Sequence, residues 1–280
     1  MTTSTSRLRA ERIELKYADR TIVDELSLEI PDGGFTVVVG PNGCGKSTLL
    51  RALGRMLTPR SGRVVLSGND IRSYRTKEVA RRIALLPQSP LSPGAISVAD
   101  LVSRGRYPYQ SMLRQWSPED ERVVSEALTE VGMRDAADQL VDELSGGQRQ
   151  RVWIAMTLAQ RTPVLLLDEP TTFLDIAHQI EVLDLCSQLH QSGRTLVAVL
   201  HDLNLAARYA THVVAMRSGK IVMQGGASEV FTPELLREVF DLEALVLEDP
   251  ETGRPLVVPR DRRPVTPLPS KAETTIRRKR

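Results

Sequence analysis

The sequence predicts an α/β fold in which a parallel-sheet core is interrupted by a helical segment and then resumed. Three observations carry this. The fully apolar run Phe35 to Val39 passes through a Gly-rich loop into a helical pattern. Two more apolar runs, Val164 to Leu167 and Thr195 to Leu200, flank a helix-length segment, as in a βαβ unit. Between about residues 89 and 159 the texture turns helical, with no apolar strand-like run.

Taken in order, Leu8 to Tyr17 and Leu26 to Ile30 are short, partly alternating apolar segments and read as strands. Asp32-Gly33-Gly34 is the turn before the buried strand Phe35 to Val39. Ser47 to Met56 carries Leu49, Leu50 and Leu53 at helical spacing. Ser97 to Arg104 and Pro118 to Val131 read as helices joined by a stretch containing Pro and Tyr. Gln148 to Gln160 reads as a third helix, capped by Ser145. Asp175 to His190 is the helix between the last two strands. Beyond Asp249, six prolines and the terminal Arg277-Arg278-Lys279-Arg280 predict a flexible, basic tail over 249–280.

The chain of 280 residues is 41% hydrophobic and 26% charged, which places it among soluble globular proteins rather than disordered or membrane-embedded ones. Its apolar runs fall far short of the roughly 18 residues a membrane-crossing helix needs. Polar Thr and Ser open the chain, and Arg9, Glu11 and Arg12 follow where a secretory signal would be apolar, so the expected location is the cytoplasm. Two cysteines, Cys44 and Cys186, do not make a disulfide framework or a zinc site. Residues 250–280 hold nine of the 37 Lys and Arg and three of the 35 Asp and Glu, leaving 28 basic against 32 acidic residues before them. The basic balance therefore belongs to the tail, and no nucleic-acid partner is expected.

Gly40-Pro41-Asn42-Gly43-Cys44-Gly45-Lys46-Ser47, followed by Thr48, fits the Walker A pattern between a buried strand and a helix. Its glycines let successive backbone N–H groups turn toward one point, and the helix N-terminus adds partial positive charge there. Lys46 would reach the β- and γ-phosphates and Ser47 would ligate Mg²⁺, so the nucleotide is ATP or GTP. Cys44 is a small residue of this loop, and its place beside phosphate suggests sensitivity to oxidation. Val164 to Leu167 ends in Asp168-Glu169, beyond the C-terminus of a parallel strand where ligands sit. Asp168 would hold Mg²⁺ or its water shell, and Glu169 would accept a proton from the attacking water.

Leu144-Ser145-Gly146-Gly147-Gln148 discriminates among nucleotide-binding proteins. Paired glycines leave a second helix N-terminus open to an anion, and one nucleotide does not need two such sites unless a second subunit contributes one. At this point the sequence resembles the ABC ATPases over nearly all of residues 8–248, with every motif in order. The resemblance implies a P-loop NTPase (RecA-like) core with an antiparallel β subdomain and an inserted α-helical subdomain. The ATPase domain would span 1–248, its core about 1–88 and 160–248 and its helical subdomain about 89–159.

It also implies a head-to-tail dimer in which Ser145, Gly146, Gly147 and Gln148 of one copy close over ATP held by Lys46 of the other. Tyr17 matches the adenine-stacking aromatic, and Gln88 the glutamine that touches Mg²⁺ and the attacking water. Asp175 matches the D-loop and His201 the histidine contacting the γ-phosphate. His178, His190 and His212 lie outside these motifs and are expected to be structural or on the surface.

Gly105-Arg106-Tyr107-Pro108, Trp153 to Met156, Asp168 to Gln179 and His201 to Tyr209 look most like the ATPases of ferric siderophore importers, with Tyr109 where many of those relatives carry His. Haem and cobalamin importers have similar ATPases. The partners so implied are a second copy, integral membrane permease subunits and, indirectly, an extracytoplasmic substrate-binding protein, at the cytoplasmic face of the membrane. A soluble ABC protein acting on nucleic acid would carry a long coiled coil or tandem cassettes, and neither is present. A kinase or GTPase does not account for the Leu144 to Gln148 signature.

Overall fold

The computed structural model describes residues 6–18, 20–90, 94–111 and 116–261. Strand β1 (Leu8–Tyr17) pairs with β2 (Arg20–Ile30) on one side and β4 (Ser61–Leu66) on the other, both antiparallel; the two-residue β5 (Asn69–Asp70) completes this sheet. Strand β3 (Phe35–Val39) leads into α1 (Lys46–Leu53), which packs beneath that antiparallel sheet. Helix α2 (Thr76–Ala80) then precedes β6 (Ile83–Leu86). The inserted segment follows, with α3 (Val98–Ser103), a 3₁₀ turn over Arg104–Tyr109, α4 (Pro118–Glu130) and α5 (Gly146–Ala159).

The core resumes with β7 (Val164–Asp168), α6 (Ile176–Gln191), β8 (Thr195–Val199), α7 (Leu203–Tyr209), β9 (His212–Arg217) and β10 (Lys220–Gly225). Helices α8 (Ala227–Val230) and α9 (Pro233–Phe240) lead to a hairpin of β11 (Ala244–Glu248) and β12 (Pro255–Pro259). Among the described residues the main sheet runs β10-β9-β3-β8-β7-β6, parallel throughout except for β10.

The period-two alternation of these strands divides the core. Phe35, Val37, Leu165, Leu167, Leu196 and Ala198 face one way and join Val98, Leu101, Val123, Trp153 and Ile154 of the inserted helices. Val38, Val164, Leu166, Val197 and Val199 face the other way and meet Leu49, Leu50 and Leu53 of α1 and Leu8, Ile13 and Leu15 of β1. Strands covered on both faces read as continuous apolar runs, which is why β3, β7 and β8 are visible in the sequence.

Three departures have physical reasons. Strand β2 begins at Arg20, six residues before the apolar run that marks it: it is an edge strand with exposed Arg20, Thr21, Asp24 and Glu25, and Glu25 is left-handed (φ 46°). Helix α1 stops at Leu53, because Gly54 caps it and Arg55 turns left-handed (φ 60°). The expected boundary at residue 248, with a flexible tail from 249, falls inside the final hairpin: β12 pairs with β11 from Ala244↔Pro259 to Glu248↔Pro255, and Val257 is buried. The terminal Arg and Lys run lies outside the described residues. No helix among the described residues is long and apolar enough to cross a membrane.

Candidate functional site

The loop Gly40–Gly45 is forced into shape by close packing. A Cβ on Gly40 would lie 2.2 Å from the Met216 carbonyl oxygen of β9, and Gly45 sits at φ 108° as the N-cap of α1, a conformation that excludes a side chain. The Lys46 ammonium donates to the carbonyls of Gly40 (2.8 Å) and Pro41 (3.0 Å), so the cation is folded back over its own loop. The Ser47 hydroxyl donates to Asp168 Oδ1 at 2.7 Å, tying the start of α1 to the end of β7.

Asp168 is 1% exposed, and its Oδ2 is buried without a hydrogen-bond partner. Burial holds this carboxyl above the usual aspartate range, helped by the neighbouring Glu169 and opposed by Ser47, Arg51 and Lys46. An orphaned carboxylate oxygen whose partner oxygen meets the Ser47 hydroxyl, with Gln88 lining the same cavity as Ser47, gives an oxygen donor set suited to a small hard cation. Among the described residues no group of three or more His, Cys, Asp and Glu could hold a metal by itself, so such a cation would need oxygens from its ligand.

Glu169 adopts φ 53°, a left-handed conformation costing on the order of 1–3 kcal/mol for a non-glycine residue. Three contacts hold it: Gln88 Nε2 donates to Oε2 at 2.5 Å, Thr172 Oγ1 donates to Oε2 at 3.0 Å, and His201 Nε2 lies 2.6 Å from Oε1. The Glu169 side chain is 10% exposed and that of His201 43%, so the carboxylate is sheltered while the imidazole rims an opening. That opening is a cavity of about 500 Å³ lined by Asn42, Gly43, Gly45, Lys46, Ser47 and Thr48 on the loop side and by Gln88, Glu169 and His201 opposite. One cavity thus gathers a lysine cation, a helix N-terminus and a sheltered carboxylate, the arrangement that binds a polyphosphate and accepts a proton from water.

Arg20 and Ile22 of β2 close the cavity, and the sequence analysis did not single them out. Arg20 stands opposite Tyr17 in the β1–β2 register, a pairing that no local sequence pattern marks. Tyr17 itself is 43% exposed at the end of β1, with Arg51 Nη1 donating to its hydroxyl at 3.5 Å, and does not line the cavity. Cys44 is 5% exposed and burial pushes its thiol up, so the expected oxidation-prone thiolate is scarce.

Ser145, Gly146, Gly147 and Gln148 lie elsewhere. They form the N-terminus of α5, where the Ser145 hydroxyl accepts from the Gln148 N–H (3.3 Å) and Gln148 Oε1 accepts from the Ser145 N–H (3.0 Å). The helix therefore starts at Gly146, two residues before the expected Gln148. These residues pack on the turn after Glu169. A Cβ on Gly147 would come 2.2 Å from the His178 ring, and one on Gly146 3.7 Å from Leu174. Asp175 caps α6 by accepting from the His178 N–H (2.9 Å), and it also meets His178 Nδ1 (2.7 Å). Those bonds hold the Asp175 carboxyl below the usual range.

Comparison with known proteins identifies the family. The family model described as ABC transporter matches residues 23–172. The chain is 55% identical over 260 residues to the ferric enterobactin transport ATP-binding protein of Escherichia coli (strain K12), covering 92% of this chain and 96% of that one. It is 52% identical over 253 residues to a petrobactin import ATP-binding protein of Bacillus anthracis, covering 90% and 93%. Among solved structures, a metal-chelate type ABC transporter in an inward-facing conformation superposes with a TM-score of 0.79 at 29% identity, over 91% of this chain and 97% of that one.

Proposed function

This chain belongs to the ABC transporter family, as an ATP-hydrolysing, ATP-binding protein, and on that premise we propose that it energises import of an iron chelate of the ferric siderophore class through a separate membrane permease. The chelate class is supported by relatives at 55% and 52% identity whose names specify ferric enterobactin and petrobactin. Those two chelates differ, so the ATPase does not encode which one is carried. Selectivity then rests with the permease and an extracytoplasmic binding protein, and this subunit works peripherally at the cytoplasmic face of the membrane.

In the proposed reaction, ATP lies along the Gly40–Thr48 loop with its base toward Tyr17. The Lys46 ammonium neutralises the β- and γ-phosphates. Glu169 accepts a proton from the attacking water, which Gln88 orients, and His201 contacts the γ-phosphate. Ser47, Asp168 and Gln88 are the residues that would hold Mg²⁺, which when bound offsets phosphate charge. Ser145, Gly146, Gly147 and Gln148 serve the nucleotide of a second copy in a head-to-tail dimer, with Asp175 alongside. The observation that carries this reading is the Lys46–Ser47–Gln88–Glu169–His201 cavity, with Asp168 bonded to Ser47 behind it, from which the Ser145–Gln148 helix start is absent.

Glu169→Gln tests it. Hydrolysis should fall by roughly 10²-fold or more while ATP binding survives, since the carboxamide cannot take the proton. Turnover at the parental rate would remove Glu169 from this role. Uptake assays in cells lacking the gene, compared across ferric siderophores, haem and cobalamin, test the cargo class.

A further inference from the structure

Helix α7 is seven residues long and begins two residues after His201. A helix this short has little stability of its own. Asp202 caps it, accepting from the N–H groups of Asn204 (2.8 Å) and Leu205 (2.9 Å). It also packs against β3 and α8, and the Tyr209 hydroxyl donates to Asp184 of α6 (2.7 Å), but the C-terminal hairpin is the element that grips it at both ends. At the near end the Asn204 amide bonds twice to the backbone of Val257 in β12. The Val257 N–H donates to Oδ1 at 2.7 Å, and Nδ2 donates to the Val257 carbonyl at 3.2 Å. Asn204 thereby occupies the hydrogen-bonding place of one more strand residue beside β12. At the far end Arg254 donates to the carbonyls of Ala207 (3.4 Å) and Ala210 (2.7 Å), and Arg208 pairs with Glu251 at 2.5 Å. Between these points Val257 and Ala244 join the same apolar cluster as Ala206 and Ala207.

His201 has no comparable support around its ring: its side chain is 43% exposed, and its polar contact is with Glu169. Its direction is therefore inherited from the backbone entering α7. We infer that the C-terminal hairpin, Ala244 to Pro259, is a positioning element for His201, acting through Asn204 at one end of α7 and Arg254 at the other. Asn204 and Arg254 touch neither nucleotide nor water in this scheme; they set where the imidazole stands relative to Glu169. The inference rests on the proposed role of His201 in hydrolysis.

The test is a double-mutant cycle on the full chain with ATP as substrate. Asn204→Leu keeps the side-chain volume and removes both bonds to Val257. It should lower kcat on the order of tenfold, as small misplacements of a catalytic group do, with KM for ATP within about twofold. In a His201→Ala background the same change should cost nothing further. Arg254→Met, at the opposite end of the helix, should behave alike and stands in if Asn204→Leu folds poorly. Unchanged hydrolysis in His201→Ala alone would refute the role of His201. If His201→Ala lowers kcat but Asn204→Leu and Arg254→Met do not, or if their losses multiply with that of His201→Ala, the hairpin does not position the histidine.

Discussion

The buried ion pair between Arg106 and Asp120 offers a measurable perturbation away from the nucleotide. The two side chains are 4% and 2% exposed, with Nε to Oδ1 at 2.8 Å. Arg106 also donates to the Ala159 carbonyl (2.8 Å) and lies 4.0 Å from the centre of the Tyr109 ring. Asp120 accepts from the Ser117 hydroxyl (2.7 Å) and N–H (3.1 Å). The pair therefore joins the 3₁₀ turn, the start of α4 and the end of α5. Burial pushes the Asp120 carboxyl up, but Ser117 and Arg106 outweigh it and hold it below the usual range. Its contribution to stability is thus present above the ordinary aspartate range and lost as pH falls through the depressed value.

Asp120→Leu strands a buried guanidinium on one carbonyl, at a cost of about 3–5 kcal/mol, with about 1 kcal/mol more for the lost bond from the Ser117 N–H in the capping box. Arg106→Met leaves a carboxylate that keeps its Ser117 donors, so about 3 kcal/mol is expected. The double variant leaves no stranded charge and should cost at least about 2 kcal/mol less than the two singles together. Urea unfolding followed by fluorescence suits the measurement, because the only two tryptophans, Trp116 and Trp153, both lie in the inserted segment. Additive losses, or single losses under about 1 kcal/mol, would refute the reasoning.

Gly147→Ala forces the His178 ring away from Asp175, so hydrolysis should drop while thermal stability shifts by less than about 1 kcal/mol, and Gly147→Ala with His178→Ala should recover part of the rate. Because burial raises Asp168, protonating it removes a cation ligand. The Mg²⁺-dependent part of the nucleotide-induced rise in Tm should shrink as pH falls through a window above the ordinary aspartate range, whereas Asp168→Asn should show no such dependence. Burial raises both thiols, that of Cys186 to about 12, so iodoacetamide at neutral pH should leave Cys44 and Cys186 unmodified in the native chain and label both in urea.

What could be read in advance follows from where each signal lies along the chain. Phe35 to Val39 and Val164 to Leu167 are buried on both faces, and Lys46, Ser47, Asp168 and Glu169 follow them closely, so strand and site residue announce one another. Arg20 and Ile22 belong to the cavity only because β2 folds back along β1, and Thr172 meets Glu169 only because the chain turns sharply after β7. No local pattern marks those. The final hairpin was hidden by its prolines: Pro255 and Pro259 stand at the two ends of a strand in a two-stranded sheet, where a missing N–H breaks no ladder, yet in composition they look like a structureless tail. Asn204 escaped notice for the same reason, since its partner is that strand.

The packing of Gly147 against His178 bears on how two sites could act together. Strand β7 ends in Asp168 and Glu169, the chain turns through bonds from the Thr172 N–H to the Glu169 carbonyl (3.3 Å) and the Leu174 N–H to the Thr171 carbonyl (3.3 Å), and Asp175 then fixes His178. The His178 ring fills the place where a Gly147 side chain would stand. Glu169, which in the proposed cycle serves this chain's own nucleotide, is thus joined through the turn at residues 170–175 and the first residues of α6 to the helix start that would serve the nucleotide of the other copy. The path is held by these hydrogen bonds and by the Gly147–His178 contact, although Phe173 and Ile176 on it are exposed. In the proposed head-to-tail dimer, this geometry predicts that a shift of Glu169 on phosphate release is felt at the Gly147 contact with the second nucleotide, and Gly147→Ala, which displaces His178, should then reduce the cooperativity of ATP hydrolysis; unchanged cooperativity in that variant would count against the coupling.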